Sequence, residues 1–162
     1  MIFVTVGTHT QGFDRLVKNI DDLLLARKIK EKVIIQVGHG NYIPKKCEWF
    51  RFTTYENFIK LCENSRLTIT HGGVGSIISL LRLKKPTIVV PRLKKFNEHV
   101  DDHQLQITKE MERQKKIIAV YDVSNLINAI NIAKKWKPSM VKSKNYIFNL
   151  IKNFIENQVN TS

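Results

Sequence analysis

Three polar segments concentrate residue types able to hold a phosphate or a sugar. The first is Gly7-Thr8-His9-Thr10-Gln11-Gly12-Phe13-Asp14-Arg15. Its backbone N–H groups and the Thr8 hydroxyl can meet phosphate, and His9 can act as a base or an electrophile near neutral pH. Taken alone, His9 reads first as a loop histidine with no special role. The second segment is His71-Gly72-Gly73-Val74-Gly75-Ser76. Glycines let the backbone approach a ligand closely. A helix starting here would add unpaired N–H groups and a partial positive charge, which suits a diphosphate. The same letters also describe a tight strand-to-helix turn with Ser76 as a cap or first-turn residue. The third segment is Pro91-Arg92, followed by Asn97-Glu98-His99-Val100-Asp101-Asp102-His103-Gln104. Clustered His, Asp, Asn and Gln can hydrogen-bond several hydroxyls of a sugar or ribose. Asn97 or Asp101 could instead cap a helix, and the spacing of Asp101 and Gln104 resembles a capping arrangement. His99 and His103 are four apart, a spacing that can bind metal on a helix. Neither a third ligand nor an HExxH pattern accompanies them, so no metal is expected.

These segments act together only if the chain gathers them. Ile2 to Val6 reads as a buried strand stopped by Gly7. Phe13 to Ala26 reads as an amphipathic helix, with Phe13, Leu16, Val17, Ile20, Leu23 and Leu24 at helical spacing. Further strands are expected at Lys32 to Val37, Trp49 to Thr53, Leu67 to Thr70, Thr87 to Val90 and Lys116 to Val120. Helices are expected at Tyr55 to Asn64, Gly75 to Leu83, His99 to Arg113, Val123 to Trp136 and Lys144 to Asn157. Strands rich in Val and Ile, alternating with helices, argue for an α/β fold with a parallel sheet covered on both faces. Six of them suggest a doubly wound, Rossmann-like sheet, in which ligands bind outside the carboxyl ends of the strands. All three polar segments then fall on one sheet edge.

Composition excludes several classes. At 162 residues, with 43% hydrophobic and 25% charged residues, the chain is long enough for a substantial core and reads as one domain over 1–162. No stretch approaches the ~18 apolar residues that span a bilayer, and the N-terminus lacks the basic region of a signal peptide. Cys47 and Cys62 have no metal or redox spacing, which fits a cytoplasmic location. The net charge of +13 favours anionic partners. Most lysine doublets, such as Lys84-Lys85 and Lys134-Lys135, sit at element edges, as solvated charge does. No aromatic platform or recognition motif points to nucleic acid, so none is expected as a partner.

The ordered motifs resemble a known family. Ile2-Phe3-Val4-Thr5-Val6-Gly7-Thr8-His9, Phe13-Asp14-Arg15-Leu16, His71 to Ser76, Lys85-Pro86, Val90-Pro91-Arg92 and Glu98 to Gln104 are similar to the C-terminal, donor-binding domain of glycosyltransferase family 28. The resemblance runs over residues 1 to 120. It is strongest to the small stand-alone proteins of the PssE type in polysaccharide assembly, and it extends to the catalytic subunit of the two-subunit dolichol-linked N-acetylglucosaminyltransferase. It implies a GT-B-type arrangement in which this chain supplies the UDP-sugar half. A separate, membrane-anchored subunit would bind a lipid-linked saccharide acceptor and hold this chain at the cytoplasmic membrane.

Carried onto these positions, the resemblance gives Gly72, Gly73, Gly75 and Ser76 to the diphosphate, and His103 and Gln104 to donor hydroxyls. Gly7, Thr8, His71, Ser79, Arg92 and His99 complete the expected donor set, with His9 the candidate catalytic base. Many relatives carry a Glu eight residues after the motif histidine, on the ribose hydroxyls; here Ser79 stands there. No cofactor is expected, and transfer would be inverting, with Arg92 helping to stabilise the leaving UDP. The Ser79 departure also keeps open a noncatalytic, nucleotide-sugar-binding or interaction subunit. The apolar stripe of Ile147, Phe148, Leu150, Ile151, Phe154 and Ile155 fits either a helix packed on its own sheet or one docking the partner.

Overall fold

A computed structural model describes residues 1–139. The helix expected at 144–157 lies outside the described residues. The elements run β1 (Ile2–Thr5), α1 (Asp14–Leu25), β2 (Val33–Gln36), β3 (Glu48–Phe50), α2 (Tyr55–Asn64), β4 (Leu67–His71), α3 (Val74–Leu83), β5 (Thr87–Val90), α4 (His103–Arg113), β6 (Ile118–Ala119) and α5 (Leu126–Ile132). The six strands form one sheet in the order β3-β2-β1-β4-β5-β6, and every pairing is parallel. This is the α/β, Rossmann-like sheet that the alternation of apolar runs predicts.

Strand alternation sorts the core into two faces. Ile2, Val4, Ile69, Ile88 and Val90 pack with Leu16, Val17 and Ile20 of α1 and Leu126 and Ile130 of α5. Phe3 turns the other way, onto Cys62 of α2 and Leu80 of α3. Val89 likewise meets Ile77 and Leu81 of α3 and Ile107 and Met111 of α4. Central strands β1, β4 and β5 are buried along their whole length, whereas edge strand β3 is not. That contrast is what a parallel sheet covered by helices requires.

The strand order reverses between β1 and β4. Neighbouring connections there leave to opposite faces, which opens a crevice at the carboxyl ends. Gly7 follows one of these strands and the His71 turn ends the other, in register through Thr5 and Thr70.

Two elements differ from the sequence expectation. The helix expected from His99 begins at His103. Ahead of it lies a 3-10 turn at Lys94–Phe96, and Asn97 sits in the left-handed region at φ 55°. Glu98 turns inward, and its buried carboxylate accepts from Leu93 N–H and from Arg15. A helix through 98–102 could not make those bonds. The segment expected as helix from Val123 to Trp136 is a 3-10 turn, Val123–Asn125, followed by the shorter α5.

Candidate functional site

A cleft of about 500 Å³ opens at the reversal point between β1 and β4. Its floor is Thr5 and Gln36, whose side chains share a 2.7 Å hydrogen bond. One wall is Gly7 and Thr8. The opposite wall is the start of α3, with Gly73, Gly75, Ser76 and Ser79. Gly73 is the N-cap of α3 and offers no side-chain cap. The first-turn amides are therefore left to solvent or to a ligand, with the helix dipole behind them.

His71 shapes this opening. Its ring is buried, and a Cβ on Gly7 would lie 2.5 Å from His71 Cε1, one on Gly73 2.3 Å from Nε2. The ring is thus wedged between the two glycine turns. Burial, reinforced by the Arg92 charge, pulls its pKa from 6.5 down to about 3. The folded state refuses a proton that the unfolded chain accepts, so this site costs nothing above pH 6.5. Stability falls as pH drops from 6.5 toward 3, by about 1.4 kcal/mol per pH unit from this group alone. Urea unfolding between pH 7 and pH 4 checks the slope: His71→Asn is expected to flatten it, and an unchanged slope would remove His71 as its source.

Behind the cleft, loops are tied by buried polar side chains. Gln104 Oε1 accepts from Gly72 N–H at 3.0 Å and from Arg92 N–H at 3.2 Å. It is no helix cap; its carbonyl joins the β4 and β5 loops, and only its amide nitrogen is left to reach a ligand. Gly72 N–H is likewise occupied, and a Cβ there would lie 2.8 Å from Gln104 Cβ. Gly72 is therefore required by packing on α4, and its amide does not face a diphosphate.

Arg92 corrects a second expectation. It is 1% exposed, with its guanidinium donating to the carbonyls of Val6, Gln11, Gly12 and Glu98 at 2.7–3.0 Å. Burial lowers its pKa to about 10, with Glu98 opposing, so it keeps its charge. Its role is to lash the β1 loop to the β5 loop; it does not line the cleft. Arg15 assists from α1 through a paired contact with the Glu98 carboxylate at 2.8 and 2.9 Å.

The remaining predicted histidines form a cluster at the same sheet edge, outside the cleft lining. The His9 and His99 rings lie against each other at a 35° tilt, with centroids 4.7 Å apart. The Asp101 carboxylate lies 2.9 Å from His99 Nδ1 and 3.0 Å from His103 Nδ1. Partial burial, then the neighbouring His99 and Arg92, holds His9 below its ordinary pKa. Its Nδ1 accepts from Gln11 N–H at 3.2 Å, so the neutral ring carries its hydrogen on Nε2 and must give up that bond before it can take a proton. Among the described residues, no three His, Cys, Asp or Glu side chains converge as metal ligands, and no helix is long and apolar enough to cross a membrane.

The sequence reading missed one wall. Thr53, Thr54, Tyr55 and Phe58, at the start of α2, also line the cleft, and Tyr55 touches Ser79 of α3. Thr54 caps α2 by accepting from Asn57 N–H at 3.2 Å. The signal was available, because the loop after β3 must open on the same sheet edge as the loops after β1 and β4. It holds neither glycine nor histidine, so residue type alone did not mark it.

Comparison with known proteins agrees with this arrangement. The chain is 29% identical over 126 residues to the UDP-N-acetylglucosamine--N-acetylmuramyl-(pentapeptide) pyrophosphoryl-undecaprenol N-acetylglucosamine transferase of Thermosipho melanesiensis, covering 75% of this chain and 36% of that protein. It is 36% identical over 84 residues to the UDP-N-acetylglucosamine transferase subunit ALG13 of Candida albicans, covering 52% of this chain and 27% of that protein. The chain thus spans about a third or less of the length of these curated relatives. An ALG13 solution structure superposes with a TM-score of 0.63 at 23% identity, over 92% of this chain and 93% of that one. At that identity the likeness speaks for the fold. The family model for the glycosyltransferase family 28 C-terminal domain matches residues 1–154, and the chain belongs to that family.

Proposed function

We propose that this chain is the donor-binding, catalytic part of a UDP-sugar-dependent glycosyltransferase. The observation that carries the reading is the uncapped N-terminus of α3, opening on the cleft between β1 and β4. Amides and helix dipole there suit the diphosphate of the donor. The names of the two curated relatives support UDP-N-acetylglucosamine as the donor. One of them transfers to a pyrophosphoryl-undecaprenol lipid, and the other is named as a subunit. The lipid-linked acceptor of this proposal follows the first name and its separate, membrane-anchored acceptor chain extends the second.

The reaction would be inverting. The acceptor hydroxyl oxygen attacks the anomeric carbon, the bond from that carbon to the diphosphate breaks, and UDP leaves with the electron pair. The charge gathering on the diphosphate is met by the first-turn amides of α3. His9, kept neutral at its place beside His99, takes the proton from the acceptor. A noncatalytic, nucleotide-sugar-binding subunit is the second reading. It is favoured by Ser79, whose hydroxyl hydrogen goes to Gly75 O at the position where the family resemblance implies a carboxylate.

Titration calorimetry with UDP and UDP-N-acetylglucosamine tests donor binding; absence of both heats would end the first reading. His103→Ala is expected to weaken the UDP-sugar about tenfold while sparing UDP, at a cost of about 1.4 kcal/mol, because His103 is offered to the sugar. Turnover with the partner and a lipid-linked acceptor then decides between the readings. Activity that survives His9→Ala would remove His9 as the base, and no donor turnover at all would favour the noncatalytic subunit.

A further inference from the structure

The loop after β5 turns at a tip that faces solvent. Leu93 and Glu98 are buried, but the four residues between them, Lys94, Lys95, Phe96 and Asn97, are exposed. The turn is pinned from below. Leu93 N–H donates to the Glu98 carboxylate at 3.1 Å, and Leu93 O accepts from Phe96 N–H at 3.1 Å and from Glu98 N–H at 3.3 Å. Lys94 N–H donates to the Asp102 carboxylate at 3.0 Å. The inward positions are thus held by Leu93 and Glu98, and Phe96 stays 49% exposed. Two cations flank its ring, the Arg15 guanidinium at 4.8 Å and the Lys95 ammonium at 4.9 Å from the centroid. Val100, in the same loop, is 64% exposed.

The tip also carries positive charge that no ion pair takes up. Among the described residues, neither the Lys94 nor the Lys95 ammonium is paired with a carboxylate. The acidic groups nearby are already engaged. Arg15 grips Glu98, His99 and His103 share Asp101, and Lys94 N–H binds Asp102. Asp122, within electrostatic reach of Arg15 and Lys95, accepts from Ser124 N–H at 2.9 Å.

An exposed aromatic ring beside two free lysines suits an anionic bilayer. A lysine stem lies along apolar material while its ammonium reaches a phosphate, and a bilayer sets phosphates directly over an apolar layer. A protein partner fits less well, because the buried centres of protein interfaces are depleted in lysine. The net charge of +13 acts in the same direction.

We propose that the 94–97 tip is a lipid-contact element: Phe96 enters the headgroup boundary of an anionic bilayer, and Lys94 and Lys95 meet its phosphates. The contact needs neither a membrane-crossing helix nor a partner chain, and it does not depend on which donor the cleft takes. Because the loop follows β5, it sets the sheet edge that carries the cleft against the lipid. One ring and two lysines make a weak, reversible attachment.

Co-sedimentation with vesicles tests this, using phosphatidylcholine alone and an equal mixture with phosphatidylglycerol. The unchanged chain is expected to bind the anionic vesicles at least about tenfold more tightly than the neutral ones. Lys94→Glu with Lys95→Glu should weaken that binding by about thirtyfold or more, the loss of two lysines at a lipid surface. Phe96→Ser should weaken it by about tenfold, the loss of one buried aromatic side chain. Lys28→Glu with Lys30→Glu makes the same change in net charge at the opposite edge of the sheet, between α1 and β2, and should stay within about threefold of the unchanged chain. Equal losses in the two double variants would overturn the proposal, because net charge alone would then explain the binding. So would the absence of any preference for anionic vesicles, or unchanged binding in Phe96→Ser. Tip variants that lose an acceptor-binding protein chain while the unchanged chain ignores vesicles would make the tip a protein contact and overturn it as well.

Discussion

Arg92→Met is expected to lower the stability of the fold by about 3–5 kcal/mol, a fifth or more of what a domain of ordinary stability has. Methionine fills most of the volume but donates nothing. Four backbone carbonyls, those of Val6, Gln11, Gly12 and Glu98, lose their donor at once. A buried polar group left without a partner costs about 1–3 kcal/mol, and partial entry of water relieves some of that sum. The Glu98 carboxylate is not orphaned, because Arg15 still grips it. The loss therefore reports the carbonyls rather than a stranded charge. Arg92→Lys separates the two contributions. It keeps the charge, but a single ammonium cannot reproduce the planar fork that reaches both the β1 and β5 loops. It should recover less than half of the loss. Urea midpoints at neutral pH measure all three proteins. A loss under about 1 kcal/mol for Arg92→Met would mean that other contacts hold the loops.

Arg92 also shows where sequence reading stops. The sheet, its strand order class and the edge that carries the site follow from apolar periodicity and from the position of turns. Those signals are local, and the structure has them in place. What a polar side chain does with its hydrogen bonds is not local. Arg92 and Gln104 sit in a polar segment beside true rim residues, and by residue type they belong to a ligand site. Their partners are at Val6, Gln11 and Gly72, which only the fold brings near. The same distance in sequence hid the α2 wall: Tyr55 and Ser79 are 24 positions apart and meet only once β4 lies between their helices. Gly7, Thr8, His71, Gly73, Gly75 and Ser76 reach the cleft because each sits at or soon after a strand end, where turn position and spatial position coincide, and Ser79 reaches it from further along α3. His99 and His103 lie one loop further out, so the same reasoning carried them to the right edge but not into the cleft.

The glycine turns give the second large effect, and their glycines are held for different reasons. Gly7→Ala and Gly73→Ala are each expected to weaken UDP binding by about a hundredfold or more, the order of loss that an ångström of misplacement produces at a preorganised site. In both, the new methyl lands on the His71 ring, which can yield only by moving into the cleft it lines. Their rescue should differ. Gly73 has φ −72°, open to any residue, so the ring alone excludes a side chain there. In a His71→Ala background, Gly73→Ala should therefore cost little further stability. Gly7 has φ +77°, where a side chain is strained whatever space surrounds it. Gly7→Ala should stay costly in that background. Gly75 completes the test, since a Cβ there meets no protein atom within 4 Å. On the first turn of α3, alanine should hold or raise the melting temperature, by up to about 1 kcal/mol of helix propensity. If a diphosphate lies against that turn, the same change should weaken UDP about tenfold. Stability kept and binding lost would separate the ligand's demand for glycine from the protein's. Binding kept in Gly75→Ala would place the diphosphate away from the start of α3.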